Sequence, residues 1–336
     1  MFTGSNYPIR HFLLWTRREI LFLLVASVIP IVIFALTGWK WIGLPWVPIS
    51  MLGTAVAIVV SFKNNASYSR VWEARTAFGA LSSASRTWGI LSVDFVKKTD
   101  NGEVGKRTVS QELIYNHLAW ITALRFQLRE PRGWESMSKP ANIEYRKKYF
   151  DVEELEKNLL DELPKYLNKE DFEYIKEKKN RATQILHLQA KKVSELTEKQ
   201  LIDFPTQLQF QNTLVELFRH QGICERIKNF PYPRQFVTLN LMFVRIFVIL
   251  VPLGMLQEFN RLGDYFFWLT IPVSALIGWF FISLERVGEA TENPFEGNAN
   301  DVPVTALART MEIDLRDMLD EKDLPPVMQA KNNILM

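Results

Sequence analysis

Long uncharged segments alternate with charged ones along this chain. Residues 20–39, 41–62 and 265–284 contain no Asp, Glu, Lys or Arg, and Glu19 and Lys40 lie just outside the first two segments. Residues 237–257 contain one charged residue, Arg245. Each segment is long enough to cross a bilayer core of about 30 Å as a helix that rises about 1.5 Å per residue. The pattern therefore predicts four transmembrane helices, with one charged residue inside the third.

The region between the second and third spans shows the three- and four-residue apolar spacing of helices. This spacing is clear in residues 69–96 and 110–129, and the prolines between residues 131 and 140 interrupt it. Residues 145–192 alternate Glu, Lys and Leu in a way that is typical of exposed helices. Asp203 and Pro205 give a helix-start signal before a segment that runs to about residue 229. Strand-like alternation is absent, so we predict an all-α fold.

We expect four consecutive regions. Residues 1–62 hold an N-terminal segment and the first two transmembrane helices, and residues 63–234 form a cytosolic helical region. Residues 235–284 hold the third and fourth transmembrane helices, and residues 285–336 form a cytosolic C-terminal segment. The tail after Pro325 has little to pack against, so we expect it to be loose.

Composition and charge agree with membrane spans joined to a charged domain. The 336 residues are 48% hydrophobic, and the mean hydropathy is close to zero. Ten Lys and Arg residues flank the spans on one side of the membrane, whereas only Lys40 and Arg261 flank them on the other. Since cytoplasmic flanks carry the excess of basic residues, both termini and the middle region should be cytoplasmic. The net charge of +3 gives no reason to expect a nucleic-acid partner.

Catalytic chemistry finds little support in the sequence. The four His residues lie far apart without metal-ligand spacing, and no Gly-rich phosphate loop occurs. The single cysteine, Cys224, has no recognisable catalytic partner and excludes an internal disulfide. We therefore expect no catalytic residues, no metal and no cofactor, and we do not expect an enzyme.

The second predicted span has two different faces. One stripe is small or hydroxylated: Ser50, Gly53, Thr54, Ala57 and Ser61. Another stripe is apolar: Ile49, Leu52, Val56 and Val59. The first stripe has two readings, since small residues let transmembrane helices approach closely, and a ring of such helices can also present hydroxyl groups to permeating ions. A span with this face is more than a simple membrane anchor requires.

Four separated stretches resemble the bestrophin family of ion channels, in its bacterial branch. They are WVPISMLGTAVAIVVSFKNNASYSRVWEART followed by LSSASRTWG, then QGICERIKNFPYPRQF, then ENPFEGNANDVPV. The resemblance covers roughly residues 5–310 in order and spacing. It implies a homopentamer in the cell inner (plasma) membrane, arranged around one central pore whose neck is lined by the second transmembrane helix. In that family the same helix continues into a cytosolic helical bundle.

The resemblance also implies positions for two constrictions. The neck falls near Ser50, Met51 and Thr54, and the small stripe adds Ala57. Family necks usually present bulky apolar side chains, so this sequence departs from the family at two of the three positions. Either the neck is wider and wetter here, or the register is shifted so that Met51 and Ala55 face inward. The cytosolic constriction corresponds to Pro205, which equally fits the first turn of a helix.

A loop after the fourth span corresponds to the calcium site of animal bestrophins. Asn293 begins this loop, and Glu296 and Asp301 are its only carboxylates, whereas the animal proteins have a run of consecutive acidic residues. Calcium favours six to eight oxygen ligands, usually with several carboxylates. We therefore expect at most a weak calcium site, or a loop that docks the C-terminal segment, and we do not expect calcium gating.

The resemblance favours a channel that passes monovalent cations, sodium or potassium. Bacterial relatives are associated with cations, and no ring of Arg or Lys lies on the presumed pore stripe. The alternatives are an anion (chloride) channel of the same architecture and a membrane-anchored scaffold. The expected partners are permeating ions, the lipid membrane and further copies of the chain. The role of Arg245 stays open at this point.

Overall fold

The computed structural model describes residues 1–97, 108–263 and 265–336. Within these ranges the α-helices are α1 (Ile9–Trp15), α2 (Arg17–Thr37), α3 (Trp46–Asp94), α4 (Val109–Arg129), α5 (Pro140–Tyr149), α6 (Glu153–Glu156), α7 (Leu159–Glu162), α8 (Lys169–Lys176), α9 (Arg181–Glu198), α10 (Phe204–Asn229), α11 (Arg234–Asn260), α12 (Thr270–Thr291) and α13 (Val304–Asp317). Short 3₁₀ turns occur at Lys40–Ile42, Ser136–Ser138, Leu163–Lys165 and Phe266–Leu269. The described residues contain only isolated β-bridges and no named strand, which confirms the all-α prediction.

Four helices are long and apolar enough to cross a membrane, which confirms the four predicted spans. They are α2, α11, α12 with its preceding 3₁₀ turn, and the first part of α3. The second span begins as a helix at Trp46, later than residue 41, since a 3₁₀ turn and Pro45 occupy the residues before it. The fourth span continues as a helix to Thr291, beyond the predicted end of the apolar segment.

Helix α3 leaves the membrane segment without a break. It is 49 residues long, and its one proline, Pro48, lies in the first turn, where a missing N–H donor is tolerated. The helix that was expected over residues 69–96 is therefore the second half of the same element. This continuity explains why an apolar segment is followed directly by charged helical sequence.

The membrane helices approach closely at glycines. A Cβ atom added at Gly278 of α12 would lie 2.4 Å from Leu23 Cδ2 of α2. A Cβ atom added at Gly53 of α3 would lie 2.7 Å from the Phe247 ring of α11. Small residues at such contacts let helix backbones pack in lipid, where burying apolar surface gives no driving force. Gly53 of the small stripe therefore has a packing role inside one subunit.

The cytosolic helices pack around a separate aromatic core. His117 of α4 lies between Trp88 and Trp120, and its Nε2 is 2.9 Å from Ser85 Oγ. Burial lowers the pKa of His117 to about 3, so this side chain is neutral at ordinary pH. Trp120 Nε1 donates to Gln221 Oε1 at 2.8 Å, which joins α4 to α10. His117 is thus a core histidine.

Residues 145–192 form several short helices. Three of them begin at asparagine caps, since the side chains of Asn158, Asn168 and Asn180 accept hydrogen bonds from the first-turn N–H groups of α7, α8 and α9. The predicted start of α10 is confirmed in the same way, because Asp203 caps that helix by accepting from Thr206 N at 2.9 Å.

The prediction of a loose tail after Pro325 was wrong. Leu335 N donates to Met1 O at 2.9 Å, and Phe2 and Ile334 form an antiparallel bridge. Met336 O accepts from Ala306 N at 2.7 Å, next to the start of α13. Backbone pairing with the beginning of the chain, together with burial of Ile334, therefore holds this segment in place.

Candidate permeation path

One side of α3 packs inside the subunit and the opposite side does not. Val56 and Val60 are buried against the other membrane helices, whereas Met51, Ile58 and Phe62 are 69%, 52% and 69% exposed. We call the exposed residues the open face of α3: Met51, Thr54, Ala55, Ala57, Ile58, Ser61, Phe62, Asn65, Tyr68, Ser69, Trp72, Arg75 and Thr76. The open face runs from the membrane segment into the cytosolic part of the helix.

Three of the four predicted neck residues lie on the open face, and Ser50 lies half-buried at its edge. The Ser50 hydroxyl donates to Val47 O at 2.8 Å, and the Thr54 hydroxyl donates to Ser50 O at 3.1 Å. Because their protons are engaged within the helix, these groups offer oxygen lone pairs and a methyl group to their surroundings. The alternative register, with Met51 and Ala55 inward, lies on the same face.

Apart from Met51, the large apolar residues on the open face, such as Ile58 and Phe62, were not predicted from the sequence. Thr54, Ile58 and Phe62 follow one another at steps of four residues, so they line up along one side of the helix. Met51 continues this line at the other end. The spacing of these residues in the sequence is the signal that places them on one side of the helix. The open face therefore combines small polar groups with bulky apolar ones.

The basic residues where α3 leaves the membrane do not point to the open face. Lys63 is fully buried and forms a salt bridge with Glu285 of α12, which is also buried. Arg70 donates to the backbone carbonyls of Glu292 and Ile227, each at 2.9 Å. Consequently the open face carries no charged side chain from Met51 to Trp72, and Arg75 is its first charged residue.

Pro205, the predicted cytosolic constriction, lies exposed in the first turn of α10. Its neighbour Phe204 is 71% exposed, and Leu208 one turn later is 50% exposed. Hydrogen bonds from Thr206 lower the pKa of Asp203, so a carboxylate stands beside this apolar helix start. The helix-start reading of Pro205 is confirmed, and its role as a constriction stays a prediction.

The loop that begins at Asn293 packs against α4 and the segment before α5. Both oxygens of Glu296 accept from Ser136, from its N–H at 2.7 Å and from its hydroxyl at 2.6 Å. Asp301 Oδ2 accepts from Gly297 N at 2.7 Å and lies 3.4 Å from Arg129 Nη1. Three carboxylate oxygens thus already have donors, and the nearby guanidinium repels any further cation. The geometry favours the docking role over a calcium site.

Two buried carboxyl groups in this loop predict a pH effect on stability. Burial, and then the charge of Asp301, raise the pKa of Glu296 to about 8. Burial also raises the pKa of Asp301, against the opposing effect of Arg129. When the pKa of a group is higher in the native state than in the unfolded state, the group stabilises the native state at low pH. This contribution is lost as pH rises from the unfolded-state pKa to the native-state pKa. The contribution of these two carboxyl groups to the free energy of unfolding should therefore decrease between about pH 5 and pH 8, by at most about 1.4 kcal/mol per pH unit for each proton. The Met1 amino group, whose pKa burial lowers to about 5, contributes with the opposite sign over the same range.

Thermal unfolding of the purified protein across this pH range checks the expectation. Glu296→Gln should remove the decrease in stability that Glu296 contributes as pH rises, so its slope should be more positive than that of the wild type, because the amide cannot ionise and its oxygen can still accept from Ser136 N. The exposed Glu156→Gln on α6 serves as the control and should keep the wild-type slope. An unchanged slope in Glu296→Gln would show that this carboxyl is ionised throughout.

Comparison with known proteins extends over nearly the whole chain. A model of bacterial and fungal bestrophin proteins matches residues 15–317. A Salmonella typhi protein named voltage-dependent anion channel-forming protein YneE is 28% identical over 296 residues, which is 88% of this chain and 84% of that protein. A similarly named Synechocystis protein, sll1024, is 23% identical and is covered to 98%, as is this chain.

Solved structures of a bacterial bestrophin homologue have a similar fold. A crystal structure of a bacterial bestrophin homologue from Klebsiella pneumoniae superposes with a TM-score of 0.73 at 25% identity, covering 90% of this chain and 98% of that one. A variant of that homologue with a single mutation gives a TM-score of 0.72 at 25% identity, again with 90% and 98% coverage.

Proposed function

The chain belongs to the bacterial and fungal bestrophin family, and we propose that five copies assemble into a channel that passes monovalent ions along their common axis. Members of this family are ion channels, so the chain is a bestrophin-family ion channel and not an enzyme. The observation that carries the proposal is the open face of α3, which stays uncovered from the membrane segment to the cytosol.

A single subunit leaves this face without partners. Phe62 and Trp72 are large side chains, 69% and 64% exposed on one side of a helix whose other side is tightly packed. Contiguous exposed apolar surface on a folded chain marks an interaction site. Assembly around an axis would cover part of the open face with neighbouring copies and leave the rest to line a passage. Such an arrangement places uncharged groups along the passage within the membrane.

In the proposed pore the neck includes Ser50, Met51, Thr54 and Ala57, continued toward the cytoplasm by Ile58 and Phe62. The second constriction would lie at Pro205, with Phe204 beside it. The exposure of these side chains supports both assignments. A ring of apolar side chains in a pore acts as a gate, because ions pass only while water fills the constriction.

We propose selectivity for cations such as sodium and potassium. Lys63 and Arg70 are engaged inside the subunit, and Asp203 stands as a carboxylate next to Pro205. Rings of carboxylates attract cations, whereas rings of Arg or Lys attract anions. Chloride is the second candidate, because the relatives described above are named anion channel-forming proteins and Arg75 would provide a basic ring.

We propose that the channel lies in the cell inner membrane with both termini in the cytoplasm. The basic residues at the start of α2 and at the end of α12 support this orientation, since cytoplasmic flanks carry the excess of Lys and Arg.

Recordings from purified protein in planar bilayers with a tenfold sodium chloride gradient test the function and its selectivity. A cation channel reverses near the sodium equilibrium potential, about 59 mV in magnitude for a tenfold gradient of a monovalent ion. Asp203→Asn should move the reversal potential toward zero, and the exposed Glu170→Gln on α8 should not. Reversal near the chloride potential would replace the cation assignment with the anion one, and no current at all would reject the channel.

A further inference from the structure

An open cavity of about 340 Å³ lies between α2, α11 and α12 where these helices meet the cytosolic region. Its wall combines basic side chains, among them Arg18, Arg245 and Arg286, with apolar ones such as Phe22 and Leu241. This cavity lies apart from the open face of α3. It therefore plays no part in the proposed ion path.

The acidic residues of the cavity already have basic partners. Glu285 pairs with Lys63, and Glu19 pairs with Arg286. Glu289 pairs with Lys139 and also lies 3.1 Å from Arg286 Nη1. The carboxylates of the wall are therefore not available to balance any further cation.

Two arginines of the wall, Arg18 and Arg245, have no carboxylate partner of their own. Arg18 lies 3.6 Å from Glu144, a carboxylate that Arg17 already contacts at 2.6 Å. Arg245 is exposed, and it forms no ion pair with any residue that the structure describes. The cavity consequently holds a net positive charge at its polar end.

The depth of the cavity fits a boundary between lipid and cytoplasm. Arg18 stands at the start of α2 and Arg286 near the end of the apolar part of α12, and Arg245 of α11 lines the same cavity. Phe22 lies one helical turn after Arg18 in α2, and its side chain is 46% exposed. A charge at this depth is tolerated where it can meet a polar headgroup.

We propose that this cavity binds an anionic phospholipid of the cytoplasmic leaflet. The headgroup phosphate lies between the guanidiniums of Arg18 and Arg245, which suit bidentate contact with phosphate oxygens. The acyl chains lie along Phe22 and Leu241. The site gives Arg245 a role: its charge, costly inside a membrane helix, is balanced by a lipid and not by another side chain.

Native mass spectrometry of the assembled protein with phosphatidylglycerol and phosphatidylcholine tests the site. We expect retention of phosphatidylglycerol in preference to phosphatidylcholine. Each arginine near an anionic headgroup contributes about fivefold in affinity, so the Arg18→Gln/Arg245→Gln variant should bind about twenty-five-fold more weakly. Arg261→Gln at the opposite end of α11 removes the same charge from an exposed position and should bind like the wild type.

Wild-type protein provides a second measurement that does not depend on variants. Phosphatidylglycerol should raise the unfolding temperature, and inorganic phosphate at the same concentration should not. Equal effects of the two would identify a site for free phosphate, and equal retention of both lipids would reject charge recognition. In a separate experiment, cysteines introduced at Phe22 or Leu241 that cross-link to a neighbouring subunit would show that protein fills the cavity. Each of these three results overturns the proposal, and none depends on ion conduction.

Discussion

Replacing Thr54 by Trp is expected to lower ion flux by about tenfold or more while the assembly stays intact. Thr54 is exposed on the open face of α3, so the larger side chain meets no packed neighbour within its own subunit. In an assembly around an axis, one indole ring from each subunit would enter the passage at the same level. These rings are much larger than the threonine side chain, so they would close the neck at the level of Thr54.

Liposome flux and size-exclusion chromatography of the same preparation give the two measurements needed. Leu36→Trp is the matched control, because Leu36 of α2 is 81% exposed on a membrane helix that has no place in the proposed passage. It should keep wild-type flux. Normal flux through Thr54→Trp would mean that ions do not pass this residue, and a loss of assembly would place Thr54 at a contact between subunits.

Replacing Glu285 by Gln is expected to destabilise each subunit by about 3–5 kcal/mol. The substitution leaves the ammonium group of Lys63 without its direct ion-pair partner, and this side chain is 0% exposed. The pair also joins α3 to α12 at the point where α3 leaves the membrane. Its loss should therefore lower the unfolding temperature and weaken the contact between the membrane and cytosolic regions.

Two further variants separate this effect from a general sensitivity to lost charges. Glu258→Gln breaks an exposed pair with Arg261 and should cost less than about 1 kcal/mol. The double variant Lys63→Met/Glu285→Leu removes both buried charges and should recover much of the lost stability. Equal destabilisation by Glu285→Gln and Glu258→Gln would contradict the assignment of the Lys63 charge as buried.

Most of the fold could be predicted because its strongest signals are local. An uncharged run of about twenty residues has few structural options other than a membrane helix, and Asp203 marks the start of α10 by its own hydrogen bond. The continuity of α3 through Lys63 was also foreseeable, since no helix breaker separates its two halves.

The remaining features depend on contacts between distant parts of the chain. Gly53 shares a stripe with Thr54 in the sequence, yet it packs under Phe247 while Thr54 stays exposed. Only the position of α11 separates the two roles. Tail docking likewise rests on hydrogen bonds between the two ends of the chain, such as the one that joins Leu335 to Met1. No local pattern encodes either arrangement, and the neck register is open for the same reason.

The unbroken length of α3 limits how such a channel could open. Its 49 residues form a rod of about 74 Å, and sharp kinks in helices arise at prolines, at glycine or serine pairs, or at bulges. Of its three glycines, Gly53 and Gly89 lie against neighbouring side chains, whereas Gly79 in the cytosolic part has room beside it, since an added Cβ atom would lie 3.8 Å from Arg75 Nη1 of the same helix. Residues 54–78 contain no glycine, no proline and no serine pair, so the part of the rod that crosses the membrane surface must tilt as a unit or change only its side-chain rotamers. Tilting would act as a lever, so a force applied to the cytosolic end would move the neck.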